Sequence, residues 1–349
     1  MSPMPALPVL LAARPHQTGP LLSVVGRSMP LGVDDALATA TLLGTLATSP
    51  GRGSTRDLWE ALATMAAYDL GAARAVEPHL DALAILEQAG ARADDSPAGP
   101  RTWGVFAAEG GPDPLVARPD GRRWLLTGTK PWCSLADRLS NALVSARTPD
   151  GARMLFAVSL ADPGVRADSS AWNARGLSEI PSGPVRFDAV EAAPVGDAGW
   201  YLDRAGFAWG GIGVAACWFG GAVGIARSVY AAGGTGDPSP FLLMHLGAID
   251  ELVESSRRAL AEAATLVDAG EATGSEGGLL AKRVRATVAR ACEEIVVRAG
   301  HALGPAPLAL DADHAKRVAD LQLYVRQHHA ERDQSSLGRA LVAAGGAPW

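Results

Sequence analysis

The sequence predicts a multi-domain α+β protein. A helical N-terminal domain comes first, then a small antiparallel β-barrel or sheet, then a C-terminal four-helix bundle. Three observations predict it. Residues 1–100 space their apolar side chains as helices do. Residues 101–198 break into short apolar runs divided by Gly, Pro and Asp. From 199 to 349 the helical pattern returns, with three breaks.

Taken in order, Asp34 and Asp35 open an Ala/Leu/Thr-rich helix running to about Ala47. Ser54 or Thr55 caps the next, with Leu58, Leu62, Met65 and Ala66 on one face. Glu77-Pro78 sets a proline near the start of a third, where it is tolerated, and Leu80, Leu83, Ala84 and Leu86 give that helix its apolar face. Residues 89–101 read as a polar Pro/Gly linker and a domain boundary.

The strand-like runs are Trp103–Ala108, Trp124–Thr127, Ala142–Ala146, Met154–Leu160 and Val185–Phe187. Gly110-Gly111-Pro112, Pro119-Asp120-Gly121, Pro149-Asp150-Gly151 and Asp162-Pro163-Gly164 separate them as turns. The bundle helices are expected at about 200–232, 238–270, 276–303 and 311–344. Short connections make them antiparallel neighbours.

Composition narrows the function classes. A net charge of −6 with no dense Lys/Arg run argues against nucleic acid as a partner. Cys133, Cys217 and Cys292 are far apart and odd in number, without zinc-site spacing, which fits a reduced cytoplasmic compartment. Residues 1–20 lack a basic n-region, which argues against a signal peptide. Phe207–Ala226 carries no charge over 20 positions, long enough to cross a bilayer. Its Gly/Ala richness and its polar continuation after Arg227 favour a helix at the centre of the bundle instead.

The stretch Gly128-Thr129-Lys130-Pro131-Trp132-Cys133-Ser134 lies between two strand-like runs. A Trp on such a turn can lie against a planar ligand while a neighbouring hydroxyl reaches its polar edge. On local evidence alone it reads rather as an aromatic plug at one end of a barrel, since aromatics mostly pack.

In this architecture the stretch resembles the G-x-K-x-W-I-[ST] segment of the acyl-CoA dehydrogenase family. Val185–Val190 through Pro194-Val195-Gly196, Gly221–Ala226 and Asp320–Tyr324 resemble further family segments in the same order. The resemblance covers nearly the whole chain. It implies a flavin-dependent oxidoreductase with FAD, acting on the CH–CH group of an acyl thioester or related acyl substrate, and a homodimer or homotetramer. It implies flavin contacts at Trp132, Cys133 and Ser134 and at the loop beginning Ala108-Glu109-Gly110. It also implies a substrate pocket near Tyr324, Trp209 and Val214.

The chain departs from that pattern in its chemistry. His328 stands four residues after Tyr324, where the family carries its carboxylate base. The alternative position, in the first bundle helix, falls near Val214. The turn 236–241 lacks the pyrophosphate-binding Arg, and Ala108 replaces a Thr. His328 therefore reads as a general base, as a hydrogen-bond donor to a flavin–oxygen adduct, or as part of the solvated polar face Arg326–Asp333. A monooxygenase of the same superfamily and a non-catalytic member that kept the fold are the alternative readings.

Overall fold

The computed structural model describes residues 7–12, 18–27, 29–30, 32–46, 49–91, 101–121, 123–234, 236–345 and 349. Helices α1 (Pro20–Arg27), α2 (Val33–Gly44), α3 (Thr55–Tyr68) and α4 (Leu70–Gln88) come first. Ser54 occupies the N-cap of α3 but its side chain makes no capping bond. Asp268, from the distant bundle, accepts from the Thr55 amide at 3.1 Å instead. Asp69 caps α4, accepting from the Gly71 and Ala72 amides. The expected position of Pro78 is corrected: it lies inside α4, not at its start. Proline there removes the hydrogen bond to the Arg74 carbonyl, and packing of α4 in the core carries the helix through. Of the linker expected at 89–101, residues 92–100 lie outside the described residues.

Seven strands follow: β1 (Trp103–Phe106), β2 (Val116–Asp120), β3 (Arg123–Lys130), β4 (Asn141–Arg147), β5 (Arg153–Ser159), β6 (Val165–Ala167) and β7 (Val185–Val195). The sheet is mixed, correcting the antiparallel expectation, because β1 and β2 each pair with β4 in parallel. The order β4-β2-β3-β7-β5 closes on itself through β4–β5 pairing, which makes a barrel. Two strands escaped the sequence pattern. β2 contains Pro119 and Asp120, which pair with Trp124 and Arg123, so the supposed separator is the end of a hairpin strand. β6 is only three residues long. Gly128 has φ 123°, and a Cβ there would come 2.6 Å from the Pro114 carbonyl oxygen. The turn into Trp132 begins from a position that only glycine fills.

The bundle comprises α5 (Trp200–Asp203), α6 (Ala205–Gly233), α7 (Pro240–Asp268), α8 (Gly274–Leu303), α9 (Ala306–Leu310), α10 (Ala312–Tyr324) and α11 (Glu331–Ala344). The single last helix expected over 311–344 is corrected. A 3-10 turn at Val325–Gln327 ends α10, and Ala330, at φ 40°, starts α11 in a new direction. Helix α6 is long and apolar enough to span a membrane, but 72% of its most apolar window is buried within the protein. One continuous core joins residues of α1–α4 to those of α6, α7, α8 and α10. A second core fills the barrel.

Glycines set how closely α6 approaches α3. A Cβ on Gly220 would lie 2.1 Å from the Ala63 carbonyl oxygen, so the two backbones touch. Gly247, on α7, is exposed with nothing within 4 Å of such a Cβ. Gly220→Ala should therefore destabilise the protein by about 3 kcal/mol, by overpacking. Gly247→Ala should stabilise it by about 0.5–1 kcal/mol. Denaturant unfolding of both variants checks the pair.

Lys316 joins three parts of the chain. Its ammonium lies 3.1 Å from Asp69, 2.7 Å from Glu179 and 2.6 Å from Asp320. Asp69 precedes α4, Glu179 lies between the barrel strands β6 and β7, and Asp320 is on α10. Asp320, 1% exposed, also accepts from the Leu177 amide at 2.6 Å. The three carboxylates lie close enough together to suit a metal ion, but the ammonium already contacts all of them. Lys316→Met should cost about 2–3 kcal/mol in urea unfolding. That is below the figure for a fully buried pair, because Lys316 is 37% exposed.

Candidate functional site

The turn after β3 sends its side chains three ways. Trp132 stands at φ 60°, and two backbone bonds fix the chain just after it: Cys133 N–H to Gly183 and Leu135 N–H to Pro181. Its ring stands outside the barrel, 61% exposed, edge-on to Trp172 with centroids 6.4 Å apart. The barrel-plug reading is thus corrected. Cys133 points inward instead, 1% exposed in the barrel core, and its thiol donates to the Lys130 carbonyl. Its N–H is already given to the Gly183 carbonyl. Burial pushes the Cys133 thiol well up.

Ser134 turns toward α4. Its Oγ accepts from Arg74 at 2.8 Å and shares a 2.7 Å hydrogen bond with Ser182. The Arg74 guanidinium also lies over the Tyr324 ring, 5.6 Å from its centroid. Tyr324 meets Trp218 edge-on at 6.3 Å, and Arg285 stacks over Trp218 at 4.7 Å. Arg285 donates to the carbonyls of Gly211 and Gln327. A polar seam thus runs from the barrel turn, past α4 and α6, to the break after α10. Val214 lies on the α6 face that carries Cys217 and Trp218, one turn earlier.

The break places His328 at the end of this seam. The residue is extended there, and its side chain is only 7% exposed. The solvated-face reading is corrected, while the neighbouring His329 stays exposed. His328 Nε2 is buried with no hydrogen-bond partner among the described residues; its nearest carboxylate, Asp333, is 4.0 Å away. Burial holds the imidazole below its usual value, Asp333 opposes this, and Arg285 reinforces it. Trp218 Nε1 is likewise buried with no hydrogen-bond partner among the described residues. Buried polar groups without partners are rare and call for a ligand or water.

Other expected residues lie elsewhere. Trp209 donates to the Ala272 carbonyl at 2.7 Å and packs against Gly51, on a different face of α6 from Trp218. Ala108 and Gly110 lie in the loop after β1, with Gly110 exposed. Glu109 is occupied internally, 3.0 Å from Lys130 and 2.9 Å from Arg153. Burial works to raise the Glu109 carboxyl, yet hydrogen bonds from Arg153 and Lys130 together hold it below its ordinary value. Lys130 is 2% exposed and also donates to the Ser145 carbonyl and hydroxyl. This cluster braces the loop at the end of the barrel. The turn around Asp237-Pro238-Ser239 shows Ser239 capping α7, with no cation in the sequence 236–241.

Sequence reasoning missed Arg74 and Arg285. The available signal was three charged residues, Arg74, Glu77 and Asp81, one helical turn apart in an Ala-rich run.

Since the folded-state value of His328 lies below 6.5, its neutral form stabilises the fold. That contribution is present above pH 6.5 and is lost as pH falls below it. NMR titration should find the His328 ring titrating below pH 6.5, and His328→Gln should reduce the loss of stability on acidification.

No family model matches the chain, and no curated protein matches it. Solved structures do resemble it. TdsC from Paenibacillus sp. A11-2, in complex with FMN and indole, matches with TM-score 0.77 and 17% identity, over 90% of both chains. TdsC is a dibenzothiophene monooxygenase. KijD3, in complex with FMN and dTDP-3-amino-2,3,6-trideoxy-4-keto-3-methyl-D-glucose, matches with TM-score 0.76 and 20% identity, over 94% of this chain and 91% of that one. A nitrososynthase from Micromonospora carbonacea var. africana matches with TM-score 0.77 and 18% identity, over 97% of this chain and 100% of that one. The chain therefore has the acyl-CoA dehydrogenase-like fold in which these structures are built.

Proposed function

We propose that this protein is a flavin-dependent oxidoreductase that binds FMN and, with reduced flavin and dioxygen, oxygenates a small organic substrate. The observation that carries this reading is His328: buried, with Nε2 unpartnered among the described residues, and in sequence four residues after Tyr324, where the resembled family carries a carboxylate. A depressed imidazole is a weak base for a carbon-bound proton. A neutral imidazole can still donate from one ring nitrogen and accept at the other.

Bound flavin would supply the electrons and the activation of dioxygen. The chain's own part is to bind and orient. Trp132 offers an exposed flat surface for an isoalloxazine ring, and the Ser134 hydroxyl, fixed by Arg74 and Ser182, offers a polar contact beside it. The unpartnered His328 Nε2 offers a hydrogen-bonding position at the far end of the seam. FMN is favoured over FAD because no cation in 236–241 is available for a pyrophosphate. FMN in the TdsC and KijD3 complexes agrees with this choice. The same fold also serves the dehydrogenase chemistry suggested by the sequence resemblance, but at both of that family's base positions this chain lacks a carboxylate.

Fluorescence titration should show FMN binding more tightly than FAD. Trp132→Ala should weaken FMN about tenfold, the upper end of an aromatic contact. His328→Ala should bind FMN as the parent does, yet release hydrogen peroxide faster from reduced FMN and dioxygen. A protein that takes up neither flavin overturns the proposal.

A further inference from the structure

The loop between β6 and β7 carries an aromatic side chain that the site has not yet used. Trp172 follows the 3-10 turn Ser169–Ala171 and is the ring partner of Trp132, at 89° to it with centroids 6.4 Å apart. Its indole N–H donates to the Leu177 carbonyl at 3.0 Å. Leu177 in turn gives its own N–H to Asp320 at 2.6 Å, and Asp320 meets the Lys316 ammonium. Gly176 lets the loop lie on α10: a Cβ there would come 2.0 Å from the Ala319 carbonyl oxygen. Leu177 stands at φ 50°, left-handed backbone that a bulky side chain rarely adopts. A strained residue whose amide and carbonyl are both engaged marks a position that its surroundings enforce. We propose that Trp172 is the positioning residue of Trp132, holding that ring in one setting for a flat ligand from an anchor on α10. This rests on the flavin reading above and names what prepares the surface on which the flavin would lie.

Trp132 needs such a support. Its ring is 61% exposed, and a Trp so placed would otherwise turn about two side-chain bonds. The turn fixes the root of the side chain and leaves the ring to be set by a neighbour. Trp172 is suited to do so because it is half-buried and packs against the main core. Its loop is pinned on two sides. Toward the barrel, Asp168 N–H donates to the Pro184 carbonyl, and Ser169 Oγ donates to Asp137, in the segment that follows the Trp132 turn. Toward the bundle, Gly176 and Leu177 hold it against α10. A ring ordered before the ligand arrives spares binding that cost, an effect of about three- to tenfold in affinity.

Fluorine NMR of the flavin-free protein, grown with 5-fluorotryptophan, tests the assignment. The Trp132 signal is identified by its loss in Trp132→Phe. In Trp172→Ala that signal should narrow and move toward the position of free fluorotryptophan, as a released ring does. Trp172→Phe keeps a ring but loses the N–H to Leu177, and should fall between the parent and Trp172→Ala. FMN binding should weaken about three- to tenfold in Trp172→Ala. Adding Trp172→Ala to Trp132→Ala should weaken it no further, because the first acts only through the second. A loss that persists in the Trp132→Ala background makes Trp172 a direct contact or a structural prop and overturns the proposal. A Trp132 signal that ignores Trp172→Ala overturns it too. If Trp172→Ala fails to fold, Trp172→Phe decides by the same signal. Failure of the parent protein to bind FMN overturns the flavin reading, and the fluorine signal of the flavin-free protein then still decides whether Trp172 sets the Trp132 ring.

Discussion

The ammonium of Lys316 is the constraint on which the arrangement of the rest depends. Three carboxylates, from the start of α4, from the barrel and from α10, converge on one cation. Without it, burial would push the Asp320 carboxyl further up, in a nearly inaccessible place where it keeps the Leu177 amide as partner. The contact also fixes position. Asp320 is one turn before Tyr324, and Asp69 is the cap of the helix that carries Arg74 and Glu77. The two sides of the polar seam are therefore tied to the barrel through one point. A ligand between barrel and helices meets walls already held at a fixed spacing, and less ordering is left to binding.

Helix α6 supplies the second constraint. Its lack of charge looked like a membrane signal and proves to be a consequence of crowding. Against α3 it has room for hydrogen only at Gly220. Trp218, two residues before Gly220 and so across the helix from it, stands in the seam. Close backbone approach on one side lets bulky groups stand on the other.

Much of the architecture was legible because periodicity reports burial directly. Helices α2–α4 and α6–α8, and five of the seven strands among the described residues, follow from it. The failures were physical rather than random. β2 ends in Pro119-Asp120, residues that usually mark turns, but a tight hairpin to Arg123 keeps them paired. The break after α10 has no Gly or Pro to announce it, and Ala330 accepts an unfavourable φ there. That break decides whether His328 faces water or the interior, so the character of the residue could not be read from its neighbours. The Trp132 stretch was recognisable, but not the direction of each side chain. Arg74 was hidden by Pro78, which suggested a helix start where the helix is already half complete. Arg285 comes from a helix more than two hundred residues beyond Arg74, and only folding brings the two guanidiniums to one pair of rings, Tyr324 and Trp218.

The closed barrel has one more consequence. With β4 and β5 joined, the open strand borders among the described residues are those of short segments, four residues in β1 and three in β6. Backbone amides are therefore poorly placed to recruit a strand from another chain. The helical face is different: Phe241 and Met244 on α7 and Leu310 on α9 are more than half exposed. Any lasting association of this molecule with another copy is thereby directed toward interdigitating helix side chains. Copy number would then respond to the size and shape of a few side chains, and scarcely at all to changes within the sheet.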